Sequence, residues 1–474
     1  MRRLSFAAFV IAATAFRLVA GFCPALATPA RTAVFVGDGP RGRGCVEWLR
    51  LVASSPELEL HLVDAEMVRA GALDGAELLI MPGGDSVSEK RDLGPAGAAK
   101  IRDFVRAGGG YIGTCAGCCF ALEERETPDR GIGLIPFRRI GSKRGFMMPI
   151  ALNGNGAAAL GLEAGEYEVS YHGGPVLVPS TNAVPDAKVE VWATYASDFD
   201  CPKSDLTMFG SPALVGGTYG KGRLFAITCH PEANVFTHDI VKGAFRYVLG
   251  REVTFPPRIR RPKSLVVGAF ASAVSGLETA RTLLAIDAIE GVDFFPMTAD
   301  EIKTSQLDRV DLLVLPAGNA EFYQKRMKGR TREIVERFAA DGGKVLTWGN
   351  NTDFAPKEAQ TFASAEELLA FIRREASCAA DARSDRGVRL RGGRTDGPRA
   401  ASLARPRGQC DRPARAGRRS GRGRNGQMVA VARQARDLAR RTARRRRGDS
   451  GRAGAVRMEL RLARDLGADA WPDD

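Results

Sequence analysis

This sequence has few histidines and lacks the paired CxxC motifs that bind zinc. The chain has four His, and its nine Cys lie at irregular spacing with no paired CxxC motifs. A zinc ribbon and a dense disulfide framework are therefore excluded, and we expect no metal site. So few histidines also leave few candidates for a general base.

Lysine is missing from the end of the chain, where the positive charge is concentrated. The net charge is +14, but the stretch 381–474 holds 26 Arg, no Lys and 11 acidic side chains, which leaves −1 for the stretch 1–380. We therefore expect no specific nucleic-acid partner for the folded part. With 44% hydrophobic and 26% charged residues, the chain suits two or three globular domains, and collagen or coiled coil is excluded.

Long apolar runs are lacking beyond the N-terminus. Residues 4–20 are apolar except for Arg17, two Arg precede them, and Ala25 and Ala27 offer small residues for a cleavage site. A bilayer span needs about 20 unbroken apolar residues, so residues 1–30 are predicted to be a signal or targeting peptide, with no membrane span after its removal. Two destinations stay open. The chain is either secreted or otherwise extracytoplasmic, or it reaches a plastid, because Phe22 begins an acid-free stretch typical of a bipartite leader.

Short Val-, Ile- and Leu-rich runs alternate with helical periodicity after the leader. Strands are predicted over residues 33–36, 59–63, 77–81, 111–113, 166–171, 189–196, 213–218 and 223–228, and helices over 45–53, 96–107 and 238–248. This alternation is typical of an α/β fold with a doubly wound, mostly parallel sheet. It predicts a first domain over residues 31–255.

A second copy of the pattern follows a boundary rich in Pro and Arg at residues 255–262. Strands are predicted over 265–267 and 311–315, with a helix over 276–289. An ungapped alignment of the two copies places Pro82 on Pro316, Gly84 on Gly318 and Cys115 on Gly349. Residues 263–373 are thus predicted to be a degenerate repeat without a nucleophile, which serves as a packing or binding partner.

A thiol stands at the end of a predicted strand. Residues 110–117 form an apolar run that leads into a turn of small residues, with Cys115 at its apex and Gly113 and Gly117 on either side. A nucleophile on a tight strand-to-helix turn needs small neighbours two positions away, and a following helix N-terminus favours the thiolate. The competing interpretation is that Cys115 is a small buried hydrophobe, like its neighbours Cys118 and Cys119.

Groups that complement a thiol nucleophile are also present. His230 and Glu232 follow a predicted strand and provide a base and the carboxylate that orients it. The loop that ends in Gly84 exposes backbone N–H groups, so the Gly84 and Ala116 amides are the candidate oxyanion hole. The predicted catalytic residues are therefore Cys115, His230 and Glu232.

Seven motifs carry a family resemblance. They lie at residues 34–40, 82–84, 113–117, 171–175, 193–196, 220–223 and 230–234. Over residues 31–370 the chain resembles the class I glutamine amidotransferase superfamily, and more closely the amino-terminal region of eukaryotic-type biotin-protein ligases. The resemblance implies an amidotransferase-like first domain with a small-molecule substrate and no cofactor.

The resemblance also implies a substrate cleft lined by Gly83, His172, Gly173 and Gly174, although His172 also fits a purely structural role. True glutamine hydrolases of the superfamily have Gln four positions after the nucleophile, where this chain has Cys119. Glutamine is therefore not the expected substrate.

The C-terminal end of the chain is poor in aromatic and β-branched residues. Residues 374–474 are predicted to be disordered, or to be a frame-shifted remnant of a ligase catalytic module. By resemblance, a possible biotin and adenylate loop comprises Gly421, Arg422, Gly423, Arg424, Asn425 and Gly426. If the codons of Met428 and Val429 are read one base later, they give Trp. By resemblance, biotin-protein ligases have a Trp shortly after this loop. A complete module would use ATP and biotin and a biotin carrier protein as partner.

Three functions stay open. The chain is a biotin-protein ligase relative, which attaches biotin to a carrier-protein lysine but has an incomplete ligase module. Alternatively, it is a freestanding Cys-His-Glu amidohydrolase that acts on a small amide, or a non-catalytic small-molecule-binding module. Resemblance favours the first, whereas the only complete site in the sequence is that of the second.

Overall fold

A computed structural model describes residues 28–143, 145, 147–198, 206–257, 265–304 and 306–389. Most of the predicted leader and the whole predicted biotin loop at residues 421–426 lie outside the described residues. Within them, no helix combines the length and apolar character needed to cross a bilayer.

The first part of the chain forms four strands and their connecting helices. In chain order these are β1 (Ala30–Phe35), α1 (Gly42–Ser54), β2 (Leu58–Val63), α2 (Ala65–Arg69), β3 (Leu78–Met81), α3 (Ser86–Ala107) and β4 (Gly110–Thr114). Helix α3 is kinked at Gly94, where φ is 60°. All four predicted strands and both predicted helices of this region overlap these elements, but α3 begins ten residues before its predicted start at residue 96, and the short helix α2 was not predicted. The strands pair in parallel in the order β2-β1-β3-β4.

Further elements extend this sheet to nine strands. They are α4 (Ala116–Ala121), β5 (Phe137–Ser142), β6 (Met147–Leu152), α5 (Gly154–Leu160), β7 (Gly165–Ser170), β8 (Pro175–Pro179), β9 (Ala187–Tyr195), β10 (Pro212–Tyr219), β11 (Gly222–Ile227) and α6 (His238–Leu249). The order is β2-β1-β3-β4-β11-β10-β9-β6-β7, while β5 and β8 form a separate ribbon.

The prediction of a mostly parallel sheet is wrong for half of this sheet. Strand β11 is parallel to β4, but every pairing from β11 through β10, β9 and β6 to β7 is antiparallel. The cause is local, because β10 and β11 are joined by the tight turn Gly220-Lys221, which forces an antiparallel hairpin. The α/β class itself is confirmed, with one mixed sheet and one parallel sheet.

Helices cover both faces of the parallel half. Alternate residues of β1 and β3 enter two separate cores, Val34 and Ile80 on one side and Phe35 and Met81 on the other. Helices α1 and α6 fill the first core, while α3 and α4 fill the second. This arrangement explains why these strands are apolar at nearly every position rather than at alternate ones.

The second repeat forms its own five-stranded parallel sheet. Its elements are β12 (Leu265–Phe270), α7 (Leu277–Asp287), β13 (Val292–Met297), α8 (Ala299–Lys303), β14 (Leu312–Leu315), α9 (Ala320–Arg326), α10 (Arg330–Ala340), β15 (Lys344–Trp348), β16 (Gln360–Phe362) and α11 (Ala365–Arg389). The strand order β13-β12-β14-β15-β16 matches β2-β1-β3-β4-β11. The isolated bridges Pro40–Gly84 and Val274–Gly318 also coincide in the ungapped alignment of the two copies, so the two sheets are copies of one unit.

Helix α11 changes the predicted end of the second repeat. The helix runs to Arg389, and Ala376 and Ala379 are buried in the core of this repeat. The boundary that we predicted at residue 373 therefore lies inside a helix. Apolar side chains at helical spacing continue past that point, which compositional bias toward Arg and Ala conceals.

Polar contacts join the two sheets. Arg50 of α1 is 4% exposed, and its guanidinium donates two hydrogen bonds of 3.1 Å to Asp287 of α7. Arg43 pairs with Glu301 of α8 at 2.9 Å, and the Asn319 amide donates to Asp38 at 2.8 Å. The second repeat thus packs along α1, beside the ends of the first sheet's parallel strands.

Candidate active site

Cys115 occupies a strained position between β4 and α4. Its φ of 53° and ψ of −98° make it the one non-glycine residue with positive φ in the described ranges. Its amide N–H donates to the Ile227 carbonyl at 2.7 Å. A conformation of this kind costs about 1–3 kcal/mol and persists where the surroundings hold it. The thiol therefore projects from a rigid turn.

Two glycines allow the chain to pass close to this turn. A Cβ on Gly117 would lie 2.0 Å from the Met81 carbonyl oxygen, and one on Gly113 would lie 2.6 Å from that of Gly117. Both distances are far inside van der Waals contact. The small residues predicted on either side of Cys115 are thus required by backbone packing.

His230 and Glu232 reach Cys115 because β11 lies next to β4. Parallel neighbours end at the same edge of a sheet, and the turn after β11 carries both side chains. The His230 N–H donates to the Ser170 carbonyl at 2.8 Å, which anchors this turn. His230 Nδ1 lies 2.7 Å from Glu232 Oε1, and the Cys115 side chain is close enough to the ring to raise its pKa. The structure therefore brings the three predicted residues together.

All three side chains are shielded from water. Cys115 is 8% exposed, His230 6% and Glu232 0%. Burial lowers the pKa of His230, but the negative charges of Glu232 and Cys115 and hydrogen bonds to both outweigh it and raise the pKa to about 10. His230 is therefore an imidazolium at neutral pH, and a cation beside the sulfur stabilises a thiolate.

The loop after β3 covers the thiol. A Cβ on Gly83 would lie 3.4 Å from the Cys115 Cβ and 2.6 Å from His230 Cε1. The bridge between this loop and residues 39–41 uses the N–H groups of Asp85 and Arg41, so it leaves the Gly84 amide out. Together with Ala116 at the start of α4, Gly84 remains the predicted oxyanion hole.

Of the predicted cleft residues, Gly83 lies over Cys115, and His172 lies beside His230. The His172 ring centroid is 5.7 Å from that of His230, and His172 and Gly173 are exposed. Gly174 is buried, with its Cα facing the Thr228 carbonyl. Desolvation in the cleft and the charge of His230 lower the pKa of His172 to about 4, so His172 is neutral at physiological pH.

The neighbouring thiols differ from Cys115. Cys118 and Cys119 are buried within α4. Burial and the charge of Cys115 raise the pKa of Cys119 to about 12, so it stays a thiol and is inert.

The second repeat has the same turn without the reactive group. Gly349 directly follows β15 with φ 81°, as Cys115 follows β4. The positive φ is thus common to both copies, while the sulfur is absent from the second. The expectation that this repeat is a scaffold or binding partner is consistent with its contacts to α1, but its role stays a prediction.

Sequence reasoning missed Glu89, in the first turn of α3. The side chain is 0% exposed, and neither carboxyl oxygen has a hydrogen-bond partner among the described residues. Burial, then the charges of Asp85 and Cys115, raise the pKa of Glu89 well above its ordinary value. The one signal in the sequence was that Glu89 follows the Pro-Gly-Gly loop by a few residues. Helix periodicity alone does not distinguish such a buried Glu from one on the surface.

An open pocket lies elsewhere on the surface. Its lining combines residues 161–163 and 167 with residues 236, 237, 239 and 240, and it includes none of the three predicted catalytic residues. Within the described chain, no group of three or more His, Cys, Asp or Glu side chains is placed to hold a metal ion.

The α/β fold thus places Cys115 at a strained strand-to-helix turn, with His230 and Glu232 on the neighbouring turn. Residues 41–128 match the family described as "Biotin-protein ligase, N terminal". This stretch, which includes α1 and Cys115, is an N-terminal region of the biotin-protein ligase type.

Other relatives share shorter or more distant similarity. An uncharacterized protein of Chlamydia muridarum (strain MoPn / Nigg) is 35% identical over 80 residues, which are 16% of this chain and 31% of that protein. The chain thus spans about a third of the curated relative it matches.

Two solved structures illustrate the structural similarity. PurLQS from Thermotoga maritima matches with a TM-score of 0.34 and 17% identity, over 47% of this chain and 99% of that one. A ThuA-like protein of Bacteroides uniformis matches with a TM-score of 0.35 and 14% identity, over 48% and 94%.

Proposed function

We propose that this chain is a biotin-protein ligase-related protein whose amidotransferase-like N-terminal region carries a thiol site for acyl transfer from a small amide. One observation carries the proposal. Cys115, at a strained turn, lies close enough to His230 to raise the pKa of that ring, and Glu232 holds the ring at 2.7 Å. A buried small hydrophobe needs neither the strain nor the cationic neighbour.

The proposed reaction begins with attack by the thiolate. The Cys115 sulfur forms a bond to the substrate carbonyl carbon, and the carbonyl π electrons move to oxygen. That oxyanion faces the amide N–H groups of Gly84 and Ala116. When the intermediate collapses, the C–N bond breaks, and His230 gives its proton to the departing nitrogen.

Hydrolysis of the thioester completes the cycle. Neutral His230 takes a proton from water, the hydroxide adds to the thioester carbon, and the C–S bond breaks. The acid leaves, and the thiolate and imidazolium are restored. The Glu232 carboxylate stabilises the cationic form at the start and end of the cycle.

The substrate is a small amide other than glutamine. Cys119 offers no amide to hold a glutamine side chain, and the neutral imidazole of His172 lies beside His230 at the cleft. The exposed backbone at Gly173 leaves room for a ligand there. These features favour a compact, uncharged acyl group.

Trapping the acyl-enzyme tests the proposal. The purified protein is mixed with activated esters and small amides, and adducts are mapped by peptide mass spectrometry. We expect an adduct on Cys115 that is lost in Cys115→Ser and accumulates when Glu232 is replaced by Gln. Cys45→Ser is the matched control, since Cys45 is a buried thiol of α1. Ligand binding that survives Cys115→Ser without any adduct would support a binding module instead.

The family match favours a second function for the whole protein. Residues 41–128 match the N-terminal family, so we propose a ligase module that attaches biotin to the lysine of a carrier protein. The loop at residues 421–426 would bind biotin and its adenylate in such a module, with ATP as co-substrate. Sequencing the transcript across codons 374–474 tests this, because an intact frame without a downstream Trp would remove the ligase claim.

The leader carries a proposal about location. Residues 1–30 direct the chain into the secretory pathway, for secretion or for delivery to a plastid. Fusing these residues to a fluorescent protein distinguishes the two. Retention of the fusion in the cytosol would contradict both.

A further inference from the structure

Helix α1 places its backbone directly against the buried His–Glu pair. Gly44 lies in the first turn of α1 and is buried. A Cβ added to Gly44 would lie 2.4 Å from Glu232 Oε1 and 2.7 Å from His230 Nδ1, and both distances are far inside van der Waals contact. The two atoms that pair at 2.7 Å therefore rest against the helix at a position that has no room for a side chain.

The helix itself does not require glycine at this position. Gly44 is not among the residues with positive φ, and glycine within a helix is less favourable than alanine. In the second repeat, whose turn lacks the thiol, the ungapped alignment places Glu278 of α7 at the equivalent position. The glycine at position 44 is thus explained by its contact with His230 and Glu232.

The same face of α1 contacts the turn that carries the thiol. Trp48 lies four residues after Gly44, so the two residues share one face of the helix. Trp48 is 0% exposed, and its indole N–H donates a hydrogen bond of 3.0 Å to the Thr114 hydroxyl. Thr114 ends β4 and directly precedes Cys115. This inner face of α1 therefore touches both the His–Glu pair and the support of the nucleophile.

The carboxylate of Glu232 lies beside the N-terminal end of α1. The Cα–Cβ bonds of a helix tilt toward its N-terminus, so the contact at Gly44 places the carboxylate along the first turn. Arg41, which precedes this turn, provides no side-chain cap to it. Glu232 Oε2 is buried and has no hydrogen-bond partner among the described residues. The positive end of the helix dipole thus lies where the negative charge of Glu232 is held.

The outer face of α1 belongs to the interface with the second repeat. Arg43, Val46 and Arg50 follow one another at intervals of three and four residues, which puts them on one face. Val46 is buried in the core of the second repeat. Arg43 pairs with Glu301 at 2.9 Å, and Arg50 pairs with Asp287 at 3.1 Å. The second repeat therefore holds α1 from the side opposite to the thiol site.

We propose that the second repeat is a positioning domain for the thiol site and acts through α1. Its contacts with the outer face fix the helix, and Gly44 and Trp48 on the inner face then fix the His230–Glu232 pair and the turn of Cys115. Gly44 is a positioning residue, since it acts through the pair and not on a substrate. This inference rests on the proposed function and extends it, because it gives the second repeat a part in the same site.

Gly44→Ala tests the inner face. The added methyl group displaces the Glu232 carboxylate from His230, so the pKa of His230 should fall from about 10 toward 6.5, as measured by NMR titration. Alkylation of Cys115 by iodoacetamide at pH 7 should slow by at least about threefold. Gly154→Ala, with no atom within 4 Å of its added Cβ, is the matched control and should change neither value. An unchanged pKa and rate in Gly44→Ala would contradict the inference.

Arg50→Ala and Asp287→Ala test the outer face, because they break one contact from its two sides. Either loss frees α1, so both variants should lower the pKa of His230 and slow alkylation of Cys115 by about twofold to fivefold. Charge alone would act differently, since removing a cation raises the pKa of an imidazole and removing an anion lowers it. A change of the same sign in both variants is therefore specific to positioning. Arg332→Ala, in the exposed pair of α10, is the control and should have no effect.

Two results with the outer-face variants would overturn the inference. Opposite changes of the His230 pKa in Arg50→Ala and Asp287→Ala would show that the second repeat acts on the imidazole through charge alone. Unchanged values in both variants would show that the second repeat does not act on the site. Neither result depends on Gly44→Ala, so the inference can be overturned even if that variant fails to fold.

Failure of this inference is distinguishable from failure of the proposed function. A wild-type Cys115 that forms no acyl adduct removes the reaction, whatever holds α1 in place. A Cys115 that forms the adduct, in a protein whose His230 titration is indifferent to the variants at positions 44, 50 and 287, removes only the role of the second repeat.

Discussion

The Nδ1 atom of His230 lies 2.7 Å from Oε1 of Glu232, and both side chains are buried at the end of the strand next to Cys115. The charge of Glu232 thus acts on the imidazole with little screening by water. This contact sets the protonation state of the site and gives the first two predictions.

Replacing Glu232 by Gln should lower the pKa of His230 from about 10 toward its ordinary value of 6.5, because the largest favourable charge is removed. Titration of the imidazole by NMR measures this change directly. Glu358→Gln, on the exposed surface, is the control and should leave the titration unchanged. A His230 pKa that stays near 10 in Glu232→Gln would show that another group holds the proton.

The stability of the wild type should depend on pH through His230. A folded-state pKa raised above 6.5 contributes stability that is complete below pH 6.5 and is lost as the pH rises through about 10. Buried thiols such as Cys119, whose pKa is raised from 9.0 to about 12, likewise contribute stability that is complete below pH 9.0 and is lost as the pH rises toward 12. Urea unfolding of wild type and His230→Gln across this range isolates the contribution. We expect the difference between their free energies of unfolding to shrink as pH rises, and a constant difference would contradict this.

Gly117→Ala should destabilise the first repeat by about 1–3 kcal/mol, because its Cβ would collide with the Met81 carbonyl. Gly154→Ala is the matched control. It lies in α5 with no atom within 4 Å of its added Cβ, so it should be neutral or stabilising by up to about 1 kcal/mol. Equilibrium unfolding measures both, and equal effects would mean that the turn tolerates a side chain.

Arg50→Ala should weaken the packing of the two repeats. It leaves Asp287 without its two hydrogen bonds in a largely buried contact, which costs about 3 kcal/mol. Hydrogen exchange should rise along α1 and α7. The exposed pair of Arg332 and Glu336 within α10 provides the control, since Arg332→Ala should cost less than about 1 kcal/mol. Unchanged exchange in Arg50→Ala would mean that apolar contacts alone join the repeats.

The central parallel strands β3, β4 and β14 were predictable because they are buried on both faces, whereas β13, β15 and β16 of the second repeat were not predicted. Strand β3 is apolar at every position, and a run of this kind needs no partner to be recognised. Strand β7 is largely exposed and contains Glu and Gly, and β5 of the separate ribbon is likewise partly exposed and contains Arg and Gly. Their partners and directions emerge only from cross-strand pairing, so the antiparallel half of the first sheet was not foreseen.

The site was predictable where chemistry left a local pattern. Cys115 lies between small residues, and His230 and Glu232 are two positions apart, so each was visible in the sequence. The buried position of Glu89, whose oxygens have no hydrogen-bond partner among the described residues, was not visible. Such burial arises from three-dimensional packing and carries no signature in spacing.

The rate of Cys115 alkylation in wild type and His230→Gln tests the central claim most directly. Peptide mass spectrometry at pH 7 reports Cys115 and Cys45 in the same sample, and Cys45 corrects for changes in folding. The account predicts that wild-type Cys115 reacts at least about tenfold faster than Cys115 in His230→Gln, because the imidazolium stabilises the thiolate. Equal rates would show that the imidazole does not activate this sulfur, and the acyl-transfer function would fall.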